Sequence, residues 1–524
     1  MFILVMVIIL QFVTALYFCA QKQGLHYDEY YSYYSTNVTE GLHPSDNDWK
    51  TGEEIGNEFM VLDGERFHYG MVNLMQSYDV HPPLYYFVLH TVCSLWENAF
   101  TKWQGLSINL FFFVISIVLL IRIADIVGGN NQYVTLLTTL LYGFSPAVLS
   151  GVTFIRMYMM LTALCFGALL IHLRGLDDTK RNAGNFYIPV FVTTYLGFMT
   201  HYYFIVFIFF VAAYMALYLF CRRQTRKQSF IYAGCVCAGL LLEVLTYPAC
   251  LRHIFRGYRG TEAIGAFFDI QNIRDRASLF IGLLNDYLLG GFFYVLVLIL
   301  TLLLVSFYYM KKRSTLSDVA TDKLHSHMRY MLITVTLGYF LVVMKTALTN
   351  AEEAVRYEMP IYGLAILLIV FGLYELCFEL KLIKKDTVRI LIATAVLLVV
   401  LGGEIVGLTQ SKVLFLYKQD AESYRWAGEH RDDTIVYIYN NENQWMIWDD
   451  ATELMNYNRL FFIDMNNEDE IVDTEICGTD HMYIYVCGSD AAAAQMQRLI
   501  DANPNINTVT KERELLYATV YEVK

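Results

Sequence analysis

The chain alternates long apolar runs with short polar connections, and this alternation sets its organisation. The first run, Phe2 to Ala20, is apolar apart from Gln11 and Thr14. It is long enough for one bilayer crossing. It lacks a basic start and exceeds the apolar core of a secretion signal, so it reads as a retained first span. A polar loop follows from Gln21 to about Val80, with Trp49, Phe59, Phe67 and Tyr69 set among acidic and polar residues. That mixture predicts short amphipathic helices at a membrane surface. Further apolar segments cover 105–122, 132–149, 153–173, 186–200, 202–220, 229–250, 288–310, 330–348, 359–380 and 388–408. His81 to Trp96 is apolar but short, and reads as a helix dipping into or lying on the outer leaflet. The pattern predicts about 11 crossings, or 13 if one more is hidden near 262–287.

From Ser411 the pattern changes. Residues 434–439, 460–463, 482–486 and 515–522 read as strands, and 421–430 and 491–501 as helices. The tail, 411–524, is thus expected to form a small soluble α/β domain. Residues 1–410, the 21–80 loop included, are expected to form a polytopic α-helical membrane domain. Composition agrees: of 524 residues 56% are hydrophobic and only 17% charged, more apolar surface than a soluble protein of this size needs. A net charge of −12 argues against a nucleic-acid partner.

Basic residues orient the spans. Clusters at Arg174, Lys180 and Arg181, at Arg222 to Lys227, at Lys311 to Arg313, and at Lys381 to Lys385 follow four of them. Cytoplasmic loops carry such an excess. All four are cytoplasmic if 186–220 is a helical pair turning outside near Thr200 and His201. The loop 21–80, Ser150 to Arg156, residues 251–277, 349–358 and the tail then lie on the opposite, extracytoplasmic face of a plasma membrane.

Five polar segments fall on that face. Asp28 and Glu29 form an adjacent carboxylate pair just beyond the first span, where acidic groups are costly unless they face water or a polar cavity. They mark a functional site or simply begin a solvated loop. His81 precedes Pro82 and Pro83. This is a helix start, and its free backbone N–H groups favour an anion; taken alone, it reads first as a plain helix start with a solvated histidine. Arg156, followed by Met157 and Tyr158, either snorkels to lipid headgroups or binds an anion. His201 lies in a polar turn, and Arg356 and Tyr357 sit at another membrane boundary. Two arginines, two histidines and a carboxylate pair on one face suit an anionic substrate with a group to deprotonate, such as a lipid phosphate with an acceptor hydroxyl.

In this order the segments His26-Tyr27-Asp28-Glu29, His81-Pro82-Pro83-Leu84-Tyr85-Tyr86, Arg156-Met157-Tyr158, Thr200-His201-Tyr202 and Arg356-Tyr357 before Pro360 resemble the polyprenyl-phosphate-dependent glycosyltransferases of the GT-C fold. The likeness is to the branch with protein O-mannosyltransferases and the lipid A aminoarabinose transferase. It covers residues 1 to about 410, and no β-trefoil insert is present. The resemblance implies hexosyl or pentosyl transfer from a polyprenyl-phosphate donor to a hydroxyl of a glycolipid, wall polymer or protein. Asp28 and Glu29 are the implied catalytic pair. His81, Arg156, Tyr158, His201, Arg356 and Tyr357 are the implied groups for substrate and lipid phosphate. No cofactor is required, although a divalent cation near the carboxylates is compatible with it. The alternative class is a transporter or flippase for an anionic lipid-linked substrate, but the chain shows no internal repeat of the kind such proteins carry.

The orientation is directly testable. Single cysteines replacing Ser45, Thr261 and Ser489, in a background without Cys477 and Cys487, are expected to react with a membrane-impermeant thiol reagent in intact cells. One replacing Ser314 is expected to stay unlabelled. Labelling at Ser314 but not at Thr261 would invert the assignment.

Overall fold

The computed structural model describes residues 2–37, 47–312, 323–349, 351–379, 386–467 and 475–524. The chain forms two compact units.

The first unit comprises Met1–Cys19, Gln76–Tyr85 and Leu106–Leu414. Among the described residues, eight helices are long and apolar enough to cross a membrane. They are Phe2–Gln21 (α1), Lys102–Val127, Tyr158–Gly175, Tyr203–Cys221, Arg226–Thr246, Lys323–Thr346, Ala351–Cys377 and Ile390–Thr409. Two bent pairs raise the number to ten if each is one span: Gln132–Phe144 with Pro146–Thr153, bent by 52°, and Ile273–Leu288 with Phe293–Ser306, bent by 97°. The eleven-residue helix Ile188–Phe198, continuing a five-residue π-helical turn, occupies the place of a further expected span. Leu84–Leu95 is apolar but too short to cross, as its length in the sequence suggested.

The bends have local causes. Pro146 starts its helix, and Ser145 before it is extended at φ −65°, ψ 128°. Proline disfavours helical geometry in the residue preceding it, so the 132–149 run cannot be one continuous helix. The sharper bend falls at Gly290 and Gly291, with φ of 57° and 88°, a region that favours glycine. The region near 262–287 holds two helices, Tyr258–Phe268 and Ile273–Leu283, the second of which leads into the bent pair.

The second unit comprises Ala20–Met75, Tyr86–Gly105 and Phe415–Lys524. Here the structure differs from the sequence reading, which attached residues 21–80 to the membrane domain. The reason is a strand the sequence did not disclose. Asp48–Lys50 (β1) adds to a sheet made of Ile435–Tyr439 (β2), Leu460–Asp464 (β3), Met482–Cys487 (β4), Val509–Glu514 (β5) and Ala518–Val523 (β6). The order is β1-β3-β2-β4-β6-β5. β2 lies parallel to β3 and β4, whereas β1, β5 and β6 pair antiparallel with their neighbours. All five residues of β2 are buried, so both sheet faces are covered. Val436, Ile438, Phe461 and Ile484 pack with Ala492 and Leu499 of the helix Asp490–Ala502. On the opposite face the rings of Tyr437 and Tyr485 stack 5.6 Å apart. The expected strands and helices of the tail are therefore present. β5 was missed because its exposed Thr-Lys-Glu-Arg-Glu run hides a strand pattern; charges of that kind protect a sheet edge.

The loop meets the tail backbone to backbone at Gly52. Its N–H donates to Tyr457 O at 2.8 Å, and a Cβ there would stand 2.5 Å from Met455 O. Gly52→Ala is expected to cost about 1–3 kcal/mol through overpacking, read as a lower Tm of the purified full chain. Gly70→Ala, where a Cβ meets nothing within 4 Å, is the matched control and should leave Tm unchanged or slightly raised.

Candidate active-site groups

In the first unit, six of the residues singled out from the sequence form one contact network. It is built at places where helices stop. The helix Pro146–Thr153 ends at Phe154, which is extended at φ −94°, ψ 111°, and the next helix begins at Tyr158. Arg156 therefore sits in a break between two helices and is 3% exposed. The carbonyls freed by the break find donors: Asn109 Nδ2 donates to Val152 O at 3.1 Å and to Phe154 O at 2.5 Å.

Arg156 Nη2 lies 3.3 Å from His81 Nε2, and His81 Nδ1 lies 2.8 Å from Asp79 Oδ2. A guanidinium only donates. Of the two His81 ring nitrogens, Nδ1 faces the Asp79 carboxylate and Nε2 faces Arg156. The three side chains make a chain from Arg156 through the His81 ring to a carboxylate. Burial acts to raise the Asp79 carboxyl, but His81 and Arg156 outweigh it and hold it below its ordinary value. The Pro-Pro pair does start a helix, at Leu84, whose N–H donates to Met199 O at 3.0 Å.

His201 occupies the turn after Ile188–Phe198. Its ring is 6.0 Å from that of His81 and 5.6 Å from that of Tyr158. Tyr203 N–H donates to His201 Nδ1 at 3.0 Å, which leaves the ring proton on Nε2. Burial, then His81 and Arg156, push this imidazole well below its ordinary pKa. Tyr158 meets Tyr357 edge-on at 5.8 Å. Arg356, also 3% exposed, donates from Nη2 to Tyr357 Oη at 3.3 Å and lies 5.1 Å from the Phe154 ring. It belongs to the 3-10 segment Ala351–Glu358, whose carbonyls are again taken by side chains: Tyr362 Oη donates to Val355 O at 2.6 Å, and Tyr339 Oη to Tyr357 O at 3.0 Å. Glu353 Oε2 approaches Arg356 Nη1 at 3.8 Å. Two permanent cations, two imidazoles and three tyrosines (Tyr158, Tyr203 and Tyr357) thus share one region, chemistry suited to an anion with a polar, ring-shaped neighbour. Asp79, whose side chain is 9% exposed, was passed over in the sequence; its place two residues before His81 was the available signal.

Asp28 and Glu29 belong to the second unit, in the first turn of Tyr27–Asn37 (α2), where a carboxylate suits the helix dipole. The two are not equivalent. Glu29 is fully buried: its Oε2 accepts from Lys22 Nζ at 2.8 Å and from His26 N–H at 2.7 Å. The second contact is the reach-back of a capping box. Asp28 has a side chain 29% exposed. Its backbone N–H donates to His26 Nδ1 at 3.0 Å. That nitrogen is therefore an acceptor, so the 3.8 Å approach of Asp28 Oδ2 to it is not an ion pair. Lys22, adjoining the first span, is the residue sequence reading missed here. Among the described residues, no three His, Cys, Asp or Glu side chains converge as metal ligands.

Near this turn, burial first and Asp449 second push the Asp420 carboxyl up to about 7. An acid with a raised folded pKa stabilises the fold below its unfolded pKa, and loses that contribution as pH rises to the folded value. The window is therefore about pH 4 to about pH 7. Asp420→Asn, which mimics the protonated form, should raise Tm relative to wild type at pH 8, with the gap closing towards pH 4. A gap independent of pH would remove Asp420 from this role.

No protein-family model and no curated protein matches the sequence. Among solved structures, the crystal structure of ArnT from Cupriavidus metallidurans bound to undecaprenyl phosphate aligns over 99% of this chain and 97% of its own, with a TM-score of 0.54 and 11% identity. The apo structure of ArnT from the same organism aligns over 98% and 97%, with a TM-score of 0.48 and 10% identity. The first alignment shows the fold: this chain shares the polytopic helical architecture of ArnT, a GT-C protein, over nearly its whole length.

Proposed function

We propose that this protein is a membrane glycosyltransferase that moves a sugar from a polyprenyl-phosphate donor to a hydroxyl on an extracytoplasmic acceptor. The observation that carries this reading is the network of buried Arg156, Arg356 and His201 with the partly buried His81. Guanidiniums held in place before substrate arrives suit a phosphate, with bidentate donation and little reorganisation. The undecaprenyl phosphate bound by ArnT, whose fold this chain shares, supports a lipid phosphate over a soluble one.

The reaction is a single displacement. The acceptor oxygen forms a bond to the anomeric carbon as the bond from that carbon to the phosphate oxygen breaks, inverting the centre. Asp28, partly exposed and acceptor-only when ionised, takes the acceptor proton. The lipid phosphate leaves with the bonding pair, and its charge is met by Arg156 and Arg356. His81, held by Asp79, contributes by orienting Arg156. Tyr158, His201 and Tyr357 offer ring faces and polar edges to the sugar. Glu29 does not transfer a proton; it holds the turn that carries Asp28. A phosphate leaving group needs no general acid, and this reading assigns no step to a cofactor.

Purified protein incubated with a panel of polyprenyl-phosphate sugars should consume at least one; consumption of none would remove the reading. With that donor, Asp28→Asn should lower transfer about 10²-fold or more without loss of fold. Arg356→Ala should raise the donor KM, and Arg356→Lys should rescue it poorly, because a point charge does not reproduce a planar fork. If both Arg356 variants keep wild-type donor kinetics, the arginine serves headgroups instead.

A further inference from the structure

The soluble tail has no role in the mechanism so far, yet its first residues touch the turn that carries Asp28. Lys22 Nζ, fully buried, donates both to Glu29 Oε2 at 2.8 Å and to the backbone carbonyl of Phe415 at 2.5 Å. It also lies 5.1 Å from the centre of the Tyr417 ring. Gln23 N–H donates to Leu416 O at 2.8 Å. His26, whose Nδ1 receives the Asp28 N–H, packs against the Phe415 and Tyr417 rings at 6.5 and 6.0 Å. Further along α2, Tyr27 meets Trp445 at 5.5 Å, and Tyr30 Oη shares a hydrogen bond of 2.5 Å with Thr452 Oγ1.

The backbone of this short segment is unusual. Phe415 and Tyr417 have φ of 62° and 44°. Bulky residues rarely enter the left-handed region, and holding two there costs on the order of 1–3 kcal/mol each. The conformation turns the Phe415 carbonyl towards Lys22 and sets the Tyr417 ring beside both Lys22 and His26. A connection serving only as a tether would have no need of it.

From these contacts we infer that Lys22 and Tyr417 are positioning residues for Asp28, and that the C-terminal domain is a working part of the acceptor side of the site. The chain of contact runs from the 415–417 backbone through Lys22 to Glu29, and from the Tyr417 ring through His26 to the Asp28 amide. It fixes both ends of the first turn of α2. Glu29 is thereby assigned to support, leaving Asp28 as the carboxylate presented to substrate. This inference rests on the proposal that Asp28 is the base.

Tyr417→Gly separates positioning from stability. Glycine adopts positive φ without strain, and that relief offsets much of the lost ring packing, so Tm of the full chain should change by only a few degrees. Loss of the ring should nonetheless lower kcat about tenfold or more, with donor KM within about twofold, because small misplacements of a catalytic group are costly. Lys22→Arg, which keeps the charge but not the compact fit between Glu29 and Phe415 O, should show the same split. Lys22→Met is expected to be poorly folded, since it leaves Glu29 buried without its cation; it serves as the reference for simple destabilisation. Asp28→Asn, assayed alongside, distinguishes the failures. If Asp28→Asn is inactive while Tyr417→Gly and Lys22→Arg turn over at the wild-type rate, this inference is wrong and the base assignment stands. If Asp28→Asn is itself active, the base assignment fails and this inference with it. A fall in kcat that merely tracks a fall in Tm would also overturn the positioning role.

Discussion

Inside a bilayer every backbone N–H and C=O has to find a partner within the protein, because no bulk water supplies one. A helix meets this demand automatically, and a break in a helix does not. The membrane unit nevertheless breaks its helices at the positions that carry Arg156, His201 and Arg356. At each break the freed carbonyls are taken up locally. Asn109 serves Val152 and Phe154, Leu84 N–H serves Met199, and Tyr362 and Tyr339 serve Val355 and Tyr357. The polar network can exist because these supporting donors do. Arginine adds the complementary constraint: its charge cannot be shed on burial, so acceptors must be built around it, and His81 with Asp79 behind it supplies one such arrangement.

The same logic governs the second unit with a different cation. Lys22 is buried but fully engaged, by a carboxylate, a backbone carbonyl and an aromatic face. Adjacent acidic residues, one turn of one helix, end up with opposite characters. Glu29 is locked into structure and Asp28 stays partly open to solvent. Residue type did not separate them; the lysine seven residues earlier did.

Most of the helical architecture was legible because membrane spans announce themselves by uninterrupted apolar length. So were four of the six strands, where aromatic and β-branched residues cluster. The polar residues in the breaks were legible as types, since charge beside an apolar run is conspicuous. Three things were not. The bends at Pro146 and Gly290 fall in stretches whose overall apolar length reads as a span, and that length outweighed the proline and the glycine pair that mark them. β1 is three residues long, and its pairing with β3 is decided by residues far along the chain. The partnerships of Asp79 and Lys22 depend on which groups the fold brings near, and neither residue stands out by spacing alone.

Lys22 and Phe415 are 393 positions apart. At a ribosomal pace of about 5–20 residues per second, on the order of 20–80 seconds separate the emergence of the two. Through that interval a charged amine, a carboxylate and a three-residue strand all stand without the groups that will cover them. The decisive step in assembling the second unit therefore comes late in synthesis, after 415 of the 524 residues have been made. A nascent chain of this kind presents a prolonged target to proteolysis and to quality control. Its yield in a cell is set as much by how well that waiting segment is shielded as by the stability of the finished fold.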